Sequence, residues 1–488
     1  MSPFQQSRRR FLRQAGCTGM SSVPVLNTLL NLRLASAVAN AAPPVAGEYR
    51  ALVCLFLSGG NDSFNLLSPY SGPSPTGADA RAEYEQSRGD LALDLDTLHQ
   101  IHPLNTPGRT FGVHPAMPNL AARFEAGHAA FVANVGTLIE RVSNRQEVDL
   151  ASKHLPLGLY SHSDQIEQWQ TSVPHSRTGI GWGGRMMDLI KDINPNPIVS
   201  MNISMDGSNV FQSGVTGAEY AVNPGNDQEP EGGAVPLRGY ASGYVADDGL
   251  TNATSTAVDR MLAQQYSNLL QSTYQQKRRD AQDAYAIYAS ATSGDLPGGI
   301  VFPNTSLGRQ LHQVAKALMG RNGLGALRQT FFVNRGGWDH HSDTIALQQV
   351  MLTEVDDAIG AFWAQLEALG IADQVTLFTG SDFGRTLTSN DRGSDHAWGG
   401  NHFIMGGSIA GKKIYGTYPG LAVNPDSGAE VNAIDTGRGR LIPTTSCDEY
   451  FAELALWLGV PPSSLNLVLP NIGNFFSPSA TGPLGFFS

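Results

Sequence analysis

The sequence predicts an α/β fold with a mostly parallel sheet and helices on both faces. Two observations support this prediction: apolar runs of strand length without polar alternation, and their alternation with segments of helical periodicity. The first run covers residues 51–57 and stops at Ser58-Gly59-Gly60, and a helical segment over 116–126 follows it. Residues 129–135 form the next strand. Strand, helix and strand in this order are typical of a βαβ unit.

The last third of the chain has the same order of elements. Residues 330–333 predict a strand, and residues 347–369 predict a helix because their apolar residues recur every three or four positions up to Gly370. Two further strands are predicted over 374–379 and 402–406.

The middle of the chain is less regular. Residues 203–250 are rich in Gly, Ser, Asn and Pro, which predicts a loop-rich insertion with short strands around residues 200–255. A long helix is predicted over 256–291 because one stripe of that segment is apolar. We therefore expect a single α/β domain over residues 48–475 that carries this insertion.

Residues 1–42 have the three parts of a twin-arginine signal peptide: a basic start with Arg8 and Arg9, a modestly apolar stretch over 15–32 and a small-residue end. The alternative is a transmembrane anchor, but Gly, Ser and Pro make the stretch too polar for a comfortable span. No later run of about eighteen apolar residues follows. The sequence predicts export by the twin-arginine translocase, a periplasmic or secreted location and no stable membrane span after cleavage.

Charge and cysteine content exclude several classes of protein. Residues 1–42 carry five arginines and no acids, so cleavage would take the net charge from −11 to −16. A chain this acidic is not expected to bind nucleic acid. The two cysteines beyond the signal are Cys54 and Cys447, and Cys54 lies within an apolar run. A buried free thiol is therefore expected there rather than a disulfide.

Three predicted strands end in turns that present an acid: Asp62, Asp339 and Asp382. Ligands of open α/β sheets bind beyond the carboxyl ends of the strands, so we expect these carboxylates to converge. The alternative for any single one of them is an ordinary helix cap or turn residue.

Histidines are concentrated beside two of these acids. They fall in two short segments, and the candidates are His340, His341, His396 and His402. Carboxylates and imidazoles presented by strand ends are the ligands that Zn²⁺ or Mn²⁺ takes in proteins. A histidine in a glycine-rich loop is more often a solvated polar group, so the metal prediction depends on the whole set.

Several segments together resemble those of the bacterial domain of unknown function 1501 family, whose members typically carry a twin-arginine signal. The resemblance spans residues 50–460, and the segments are 57–65, 113–120, 161–169, 336–341, 381–385 and 395–402. That family is in turn similar to the alkaline phosphatase and sulfatase superfamily. This resemblance implies a parallel sheet that presents acids and histidines to one or two divalent ions, Zn, Mn or Ca. It also implies a hydroxyl nucleophile at the start of a helix.

The resemblance also assigns individual residues. The implied metal ligands are Asp62, Asp339, His341, Asp382 and His396, with His402 as a second candidate and His340 as a weaker one. Ser161 is the implied nucleophile; the alternatives are Ser163 or Ser63, or an N-cap role for Ser161.

Phe383 and Arg385, which follow Asp382 closely in the chain, qualify this assignment. Phe383 stands where the superfamily usually has a histidine, which removes one ligand of a second metal ion. Arg385 is a candidate for binding the anionic substrate through its planar fork, and a salt bridge is the alternative.

The sequence thus favours an exported metal-dependent hydrolase of phosphate or sulfate esters. The alternative is a non-catalytic exported metal-binding protein associated with the envelope or with exopolysaccharide, which the unclear nucleophile favours. A serine esterase is disfavoured because no G-x-S-x-G turn follows a strand.

Overall fold

A computed structural model describes residues 48–196, 198–228, 232–235, 249–479 and 481–487. It confirms the predicted α/β class: a large, mostly parallel sheet is covered by helices. The strands are β1 (Arg50–Leu57), β2 (Leu67–Ser71), β3 (His99–Ile101), β4 (Thr110–Val113), β5 (Ala129–Gly136), β6 (Asn202–Ser204), β7 (Tyr220–Asn223), β8 (Gly233–Ala234), β9 (Arg328–Asn334), β10 (Val375–Ser381), β11 (Gly400–Gly406), β12 (Ile414–Tyr415) and β13 (Thr445–Ser446).

The helices are connected to these strands in βα order over much of the chain. They are α1 (Ser63–Leu66), α2 (Ala80–Arg88), α3 (Pro118–Glu125), α4 (Arg145–Asp149), α5 (His162–Thr171), α6 (Trp182–Ile190), α7 (Gly249–Ala263), α8 (Leu269–Ala291), α9 (Ser306–Met319), α10 (Thr344–Ala368), α11 (Cys447–Leu458) and α12 (Leu465–Val468). Short 3-10 turns join several of them.

The main sheet has the order β12-β5-β11-β10-β1-β9-β6-β7-β8, and β13 pairs with β5. Strand β1 is central and runs parallel to β10 on one side and to β9 on the other. Strand β11 is antiparallel to both of its neighbours, which makes the sheet mixed on that side. A separate antiparallel sheet has the order β2-β4-β3.

The continuous apolar run of β1 has a simple physical cause, because both faces of the sheet are covered. Val53 and Leu55 point into one hydrophobic cluster, which also contains residues of α9 and α10. Cys54 and Phe56 point into a second cluster on the opposite face, with residues of α6 and α11. Alternate side chains therefore enter two different cores, and neither face needs polar residues.

Most predicted elements lie where the sequence placed them, with one clear difference. The helix predicted over 256–291 is two helices, α7 and α8, and Asn268 caps the second by accepting hydrogen bonds from the amides of Leu270 and Gln271. The predicted insertion contributes the short strands β6, β7 and β8 to one edge of the main sheet. Cys54 and Cys447 are buried free thiols, as expected.

The predicted signal peptide over residues 1–42 lies outside the described residues. Within the described ranges, no helix is both long and apolar enough to cross a membrane.

Candidate metal centre

The candidate site lies at the carboxyl ends of β9, β1 and β10. These three strands are adjacent and parallel, so the turns that follow them meet at one edge of the sheet. Asp339 lies in the turn after β9, and Asp382 directly follows β10. His396 lies in the connection from β10 to β11, and His162 is the first residue of α5. The local order of strand and turn therefore brings together residues that are distant in sequence.

The geometric centre of the site is the carboxylate of Asp339. Ligand atoms of His162, Asp339 and His396 all lie within 4.8 Å of one another. The Oδ1 atom of Asp339 lies 3.2 Å from Nε2 of His396 and 3.5 Å from Nε2 of His162. The Nε2 atom of His341 lies 3.0 Å from the same oxygen and 3.0 Å from Nε2 of His396.

These separations suit a divalent cation. Ligand atoms at about 2.0–2.1 Å from a tetrahedral zinc ion lie about 3.3 Å from one another. Two imidazoles and one carboxylate also leave coordination positions open, as catalytic metal sites do.

Each histidine of the site is held through its other ring nitrogen. Nδ1 of His162 lies 2.6 Å from the Asp382 carboxylate, and Nδ1 of His341 lies 3.1 Å from the Asp395 carboxylate. Nδ1 of His396 lies 2.8 Å from a backbone carbonyl, that of Tyr160. Nδ1 protons donated to these oxygens would leave each Nε2 lone pair free to ligate.

Nε2 of His162 tests whether the donor set fits a metal ion. This atom is buried and makes no hydrogen bond to the described residues, and it lies 3.5 Å from the Asp339 carboxylate oxygen. A buried polar atom without a partner is costly, and a bound cation would satisfy it. The unsatisfied Nε2 atom therefore supports metal binding, and this support does not depend on which residue types form the site.

The charges at the site favour ionised carboxylates. Partial burial opposes ionisation of Asp339, but the hydrogen bond and the charge of Arg385 outweigh it and lower the pKa of this carboxyl to about 2. Burial is similarly outweighed at Asp395 by hydrogen bonds from Asn390 and Arg438, which lower its pKa to about 2. The hydrogen bond that His162 donates to Asp382 raises the pKa of His162, whereas burial lowers the pKa of His396.

Arg385 is buried, and its guanidinium donates to backbone carbonyls of three loops. Nε donates to the carbonyl of Gly60 at 2.8 Å, and Nη1 donates to that of Ser394 at 3.0 Å. Nη2 donates to the carbonyls of Gly59 at 2.6 Å and Trp338 at 3.2 Å, and to the Asp339 carboxylate at 2.5 Å. The guanidinium of Arg385 therefore holds these loops in position. The sequence had suggested that it binds the anionic substrate.

We call His162, Asp339 and His396 the central group. Two of the predicted ligands lie outside it. Asp62 is buried, and its Oδ2 atom forms an ion pair of 2.6 Å with Arg88. His402 lies within β11 and faces the opposite core, where its ring packs 4.7 Å from that of Trp169. Burial there lowers the pKa of His402 to about 3, so it is a neutral core residue.

The other predicted residues border the group. Asp382 holds His162 and accepts a hydrogen bond of 3.0 Å from the amide of Gly59. His340 is buried and lies 3.3 Å from the sulfur of Met351. The metal ligands predicted by sequence that do meet are Asp339, His341 and His396.

Ser161 is the N-cap residue of α5, but its side chain does not cap the helix. Its hydroxyl lies 3.2 Å from that of Ser163 and also bonds to the carboxylate of Asp164. Its two chain neighbours both belong to the site, since Tyr160 holds His396 and His162 is part of the central group. Ser161 therefore lies at the border of the site, and its hydroxyl does not cap the helix.

Ser63, the other alternative, is buried, and its hydroxyl accepts a hydrogen bond of 2.7 Å from the amide of Asn401.

Phe383 occupies a place between two of the histidines. Its ring centroid lies 4.8 Å from that of His162 and 4.6 Å from that of His396. The aromatic ring covers these imidazoles and provides no ligand, so the group of His162, Asp339 and His396 suits one ion.

His162 is the site residue that sequence reasoning missed. It lies within a segment that carried the family resemblance, but it follows no predicted strand and stands beside the serine that drew attention. The signal that could have found it is the predicted helix start, because Ser161 was already expected at the start of a helix beside the metal and His162 is the next residue.

Fold and site together define an α/β protein with a histidine and carboxylate cluster, able to hold a metal ion, at the carboxyl edge of its sheet. The chain belongs to the family described as "Protein of unknown function (DUF1501)", which it matches over residues 49–436. All residues of the cluster fall within that match. No curated protein matches the chain.

Proposed function

We propose that this chain is an exported metal-dependent hydrolase of phosphate or sulfate esters, with a divalent cation held by His162, Asp339 and His396. One observation carries the proposal: two imidazole rings that are held through Nδ1 place their Nε2 atoms beside one carboxylate, that of Asp339. Preorganised ligands of this kind are typical of functional metal sites. Because His341 lies 3.0 Å from two of these atoms, it is a further candidate ligand.

When bound, such a cation would polarise the ester and lower the pKa of an attacking hydroxyl or water. The protein's own residues would do the rest. Asp382 and the carbonyl of Tyr160 hold two imidazoles in orientation, and Arg385 keeps Asp339 ionised. Ser161 is the candidate nucleophile because its hydroxyl is not used as a cap.

Metal analysis and a turnover assay on the purified protein test this proposal. We expect about one equivalent of a divalent metal and hydrolysis of at least one member of a panel of phosphate and sulfate esters. Asp339→Asn should lose at least 90% of the metal and the activity, since it removes the charge at the centre of the site. Asp343→Asn is the matched control, because Asp343 is exposed and pairs with the exposed Arg392. Wild-type protein without metal after loading with Zn²⁺, Mn²⁺ or Ca²⁺ would contradict the proposal.

The alternative function is a non-catalytic exported metal-binding protein associated with the envelope or with exopolysaccharide. Phe383 favours it, because a phenyl ring stands where an additional ligand would be expected. The same experiment separates the two functions: metal binding lost in Asp339→Asn together with no turnover by wild type on any ester selects the alternative.

The export part of the proposal rests on Arg8 and Arg9 and on the small residues that end the first 42. Replacement of Arg8, Arg9 and Arg10 by lysine should reduce the periplasmic fraction at least tenfold, while Arg13→Lys should not. Equal amounts of the triple variant and wild type in the periplasm would refute twin-arginine export.

A further inference from the structure

A cavity of about 630 Å³ opens beside the metal centre. It is lined by Ser58, which follows β1, by Asn334, the last residue of β9, by Asp206, which lies beyond β6, and by residues of α5, including Ser163. Ser163 directly follows His162 in the chain. Ser58 precedes Gly59, whose amide donates to Asp382, the carboxylate that holds His162. The cavity and the metal centre therefore share the turn after β1 and the first turn of α5.

Half of the residues that line the cavity carry a hydroxyl or an amide group, and Ile166, Val210 and Phe332 add apolar surface. Hydrogen bonds link three of the polar residues. The hydroxyl of Ser58 donates to Oδ1 of Asn334 at 2.6 Å, and Nδ2 of Asn334 donates to Asp206 at 2.9 Å. Another part of the lining is held by Gln170, whose Oε1 accepts from the amides of Val210 and Phe211 at 2.9 and 3.0 Å. These lining residues are thus fixed before any ligand binds.

The charges that line the cavity do not suit an anion. Its lining includes the carboxylates of Glu167 and Asp206 and one guanidinium, that of Arg177. This guanidinium is already paired with Asp164 at 2.6 Å. A negatively charged group here would meet excess negative charge, so the ester anion belongs at the metal centre and a neutral group belongs in the cavity.

We propose that this cavity binds the neutral, polyhydroxylated part of the substrate, a glycosyl group of di- or trisaccharide size. Sugar hydroxyls both donate and accept hydrogen bonds, which matches a lining of serine, threonine, asparagine and glutamine. The volume lies within the range of roughly 300–1,000 Å³ for pockets that hold small molecules. This inference rests on the proposed function for the role of the bound sugar, but sugar binding itself does not require turnover.

Calorimetry with the purified full chain tests the proposal. The probes are neutral di- and tetrasaccharides of glucose, mannose and N-acetylglucosamine, together with uronic acid disaccharides of the same size. We expect at least one neutral saccharide to bind with a Kd of about 1 mM or tighter. The uronic acid analogue should bind at least threefold more weakly, because it adds a carboxylate to an acidic lining.

Ser208→Trp should weaken binding at least tenfold, because Ser208 is exposed in the lining and an indole there fills the cavity. The matched control is Ser427→Trp, an exposed serine in another loop, which should bind within twofold of wild type.

The outcomes separate this inference from the proposed function. If no neutral saccharide binds, if the uronic acid binds more tightly, or if both tryptophan variants behave alike, the cavity assignment is overturned. If a saccharide binds in the cavity but no ester is hydrolysed, the assignment stands and the hydrolase proposal fails.

Discussion

Three histidines of the site, His162, His341 and His396, are each oriented by an oxygen atom of a residue outside the metal-binding cluster. For His162 this oxygen belongs to Asp382, which is buried and also accepts from the amide of Gly59. Such a partner fixes the tautomer and the ring orientation of a metal-ligating histidine. The carboxylate of Asp382 would therefore act on a bound metal ion through His162.

We expect Asp382→Asn to weaken metal binding by about 10- to 100-fold without unfolding the protein. The amide oxygen of asparagine can still accept from Nδ1 of His162, but the negative charge that raises the pKa of this histidine is lost. Competition with a chelator of known affinity measures the effect, and Asp343→Asn again serves as the control. Unchanged metal affinity in Asp382→Asn would show that His162 does not ligate the ion.

The sequence predicted Asp339, His341 and His396 as ligands because each lies in a loop after a predicted strand. It could not separate them from Asp62, which follows a strand equally well but is neutralised by Arg88. The partner of Asp62 lies on α2, and nothing in the order of residues indicates that a helix places an arginine there.

At the scale of elements, the turn after β1 is closely packed against the loop that follows β9. Gly59 has a φ of +120°, and a Cβ atom there would lie 2.6 Å from the backbone nitrogen of Asp339. The turn therefore packs directly against the loop that carries the central carboxylate, and only glycine fits.

Gly59→Ala should destabilise the fold by about 3 kcal/mol or more, because it adds a backbone clash to an unfavourable φ. Gly77→Ala is the matched control: Gly77 has a φ of +87°, but nothing lies within 4 Å of its added Cβ. The control should cost only about 1–2 kcal/mol. Urea unfolding measures both variants, and equal losses would contradict the close packing of the β1 turn.

Element positions were largely predictable because the apolar runs of β1, β9 and β10 have covered faces on both sides. The antiparallel direction of β11 was not predictable, since a short apolar run is the same in either direction. The break between α7 and α8 did have a signal: Asn268 is a good N-cap residue within the long predicted helix.

For the whole molecule, a buried carboxyl makes stability depend on pH. Burial raises the pKa of Asp448 to about 7, although Ser172 and Arg185 act in the opposite direction. An unfolded aspartate has a pKa near 3.9. Between these values the folded carboxyl keeps its proton and the unfolded one loses it, so the contribution of Asp448 to stability falls as the pH rises from about 4 to 7.

Asp448→Asn should therefore gain stability relative to wild type as the pH rises. The difference in unfolding free energy between the two proteins should change by about 4 kcal/mol from pH 4 to pH 8 in favour of the variant. Urea titrations of both proteins at several pH values measure it. A difference that does not vary with pH would show that Asp448 is ionised in the folded protein throughout.

The strand order of the whole sheet lay beyond sequence reasoning, because pairing partners are chosen by packing over long distances in the chain. The class of fold depends only on local patterns and was predictable. We could expect the loops with acids and histidines to share one edge of the sheet. We could not predict which strands lie next to one another in that sheet.

The central position of β1 has a consequence for the time course of synthesis. Ala51 pairs with Gln329 on one side and with Val375 on the other, so β1 has neither of its neighbours until most of the chain has left the ribosome. At about 5–20 residues per second, the ribosome needs roughly 15–65 s to pass from residue 51 to residue 375. During that interval a strand that is apolar from Ala51 to Leu57 has no partner strands and is exposed to aggregation. A translocase that accepts the finished protein, as proposed for this chain, lets the whole sheet close in the cytoplasm before transport begins.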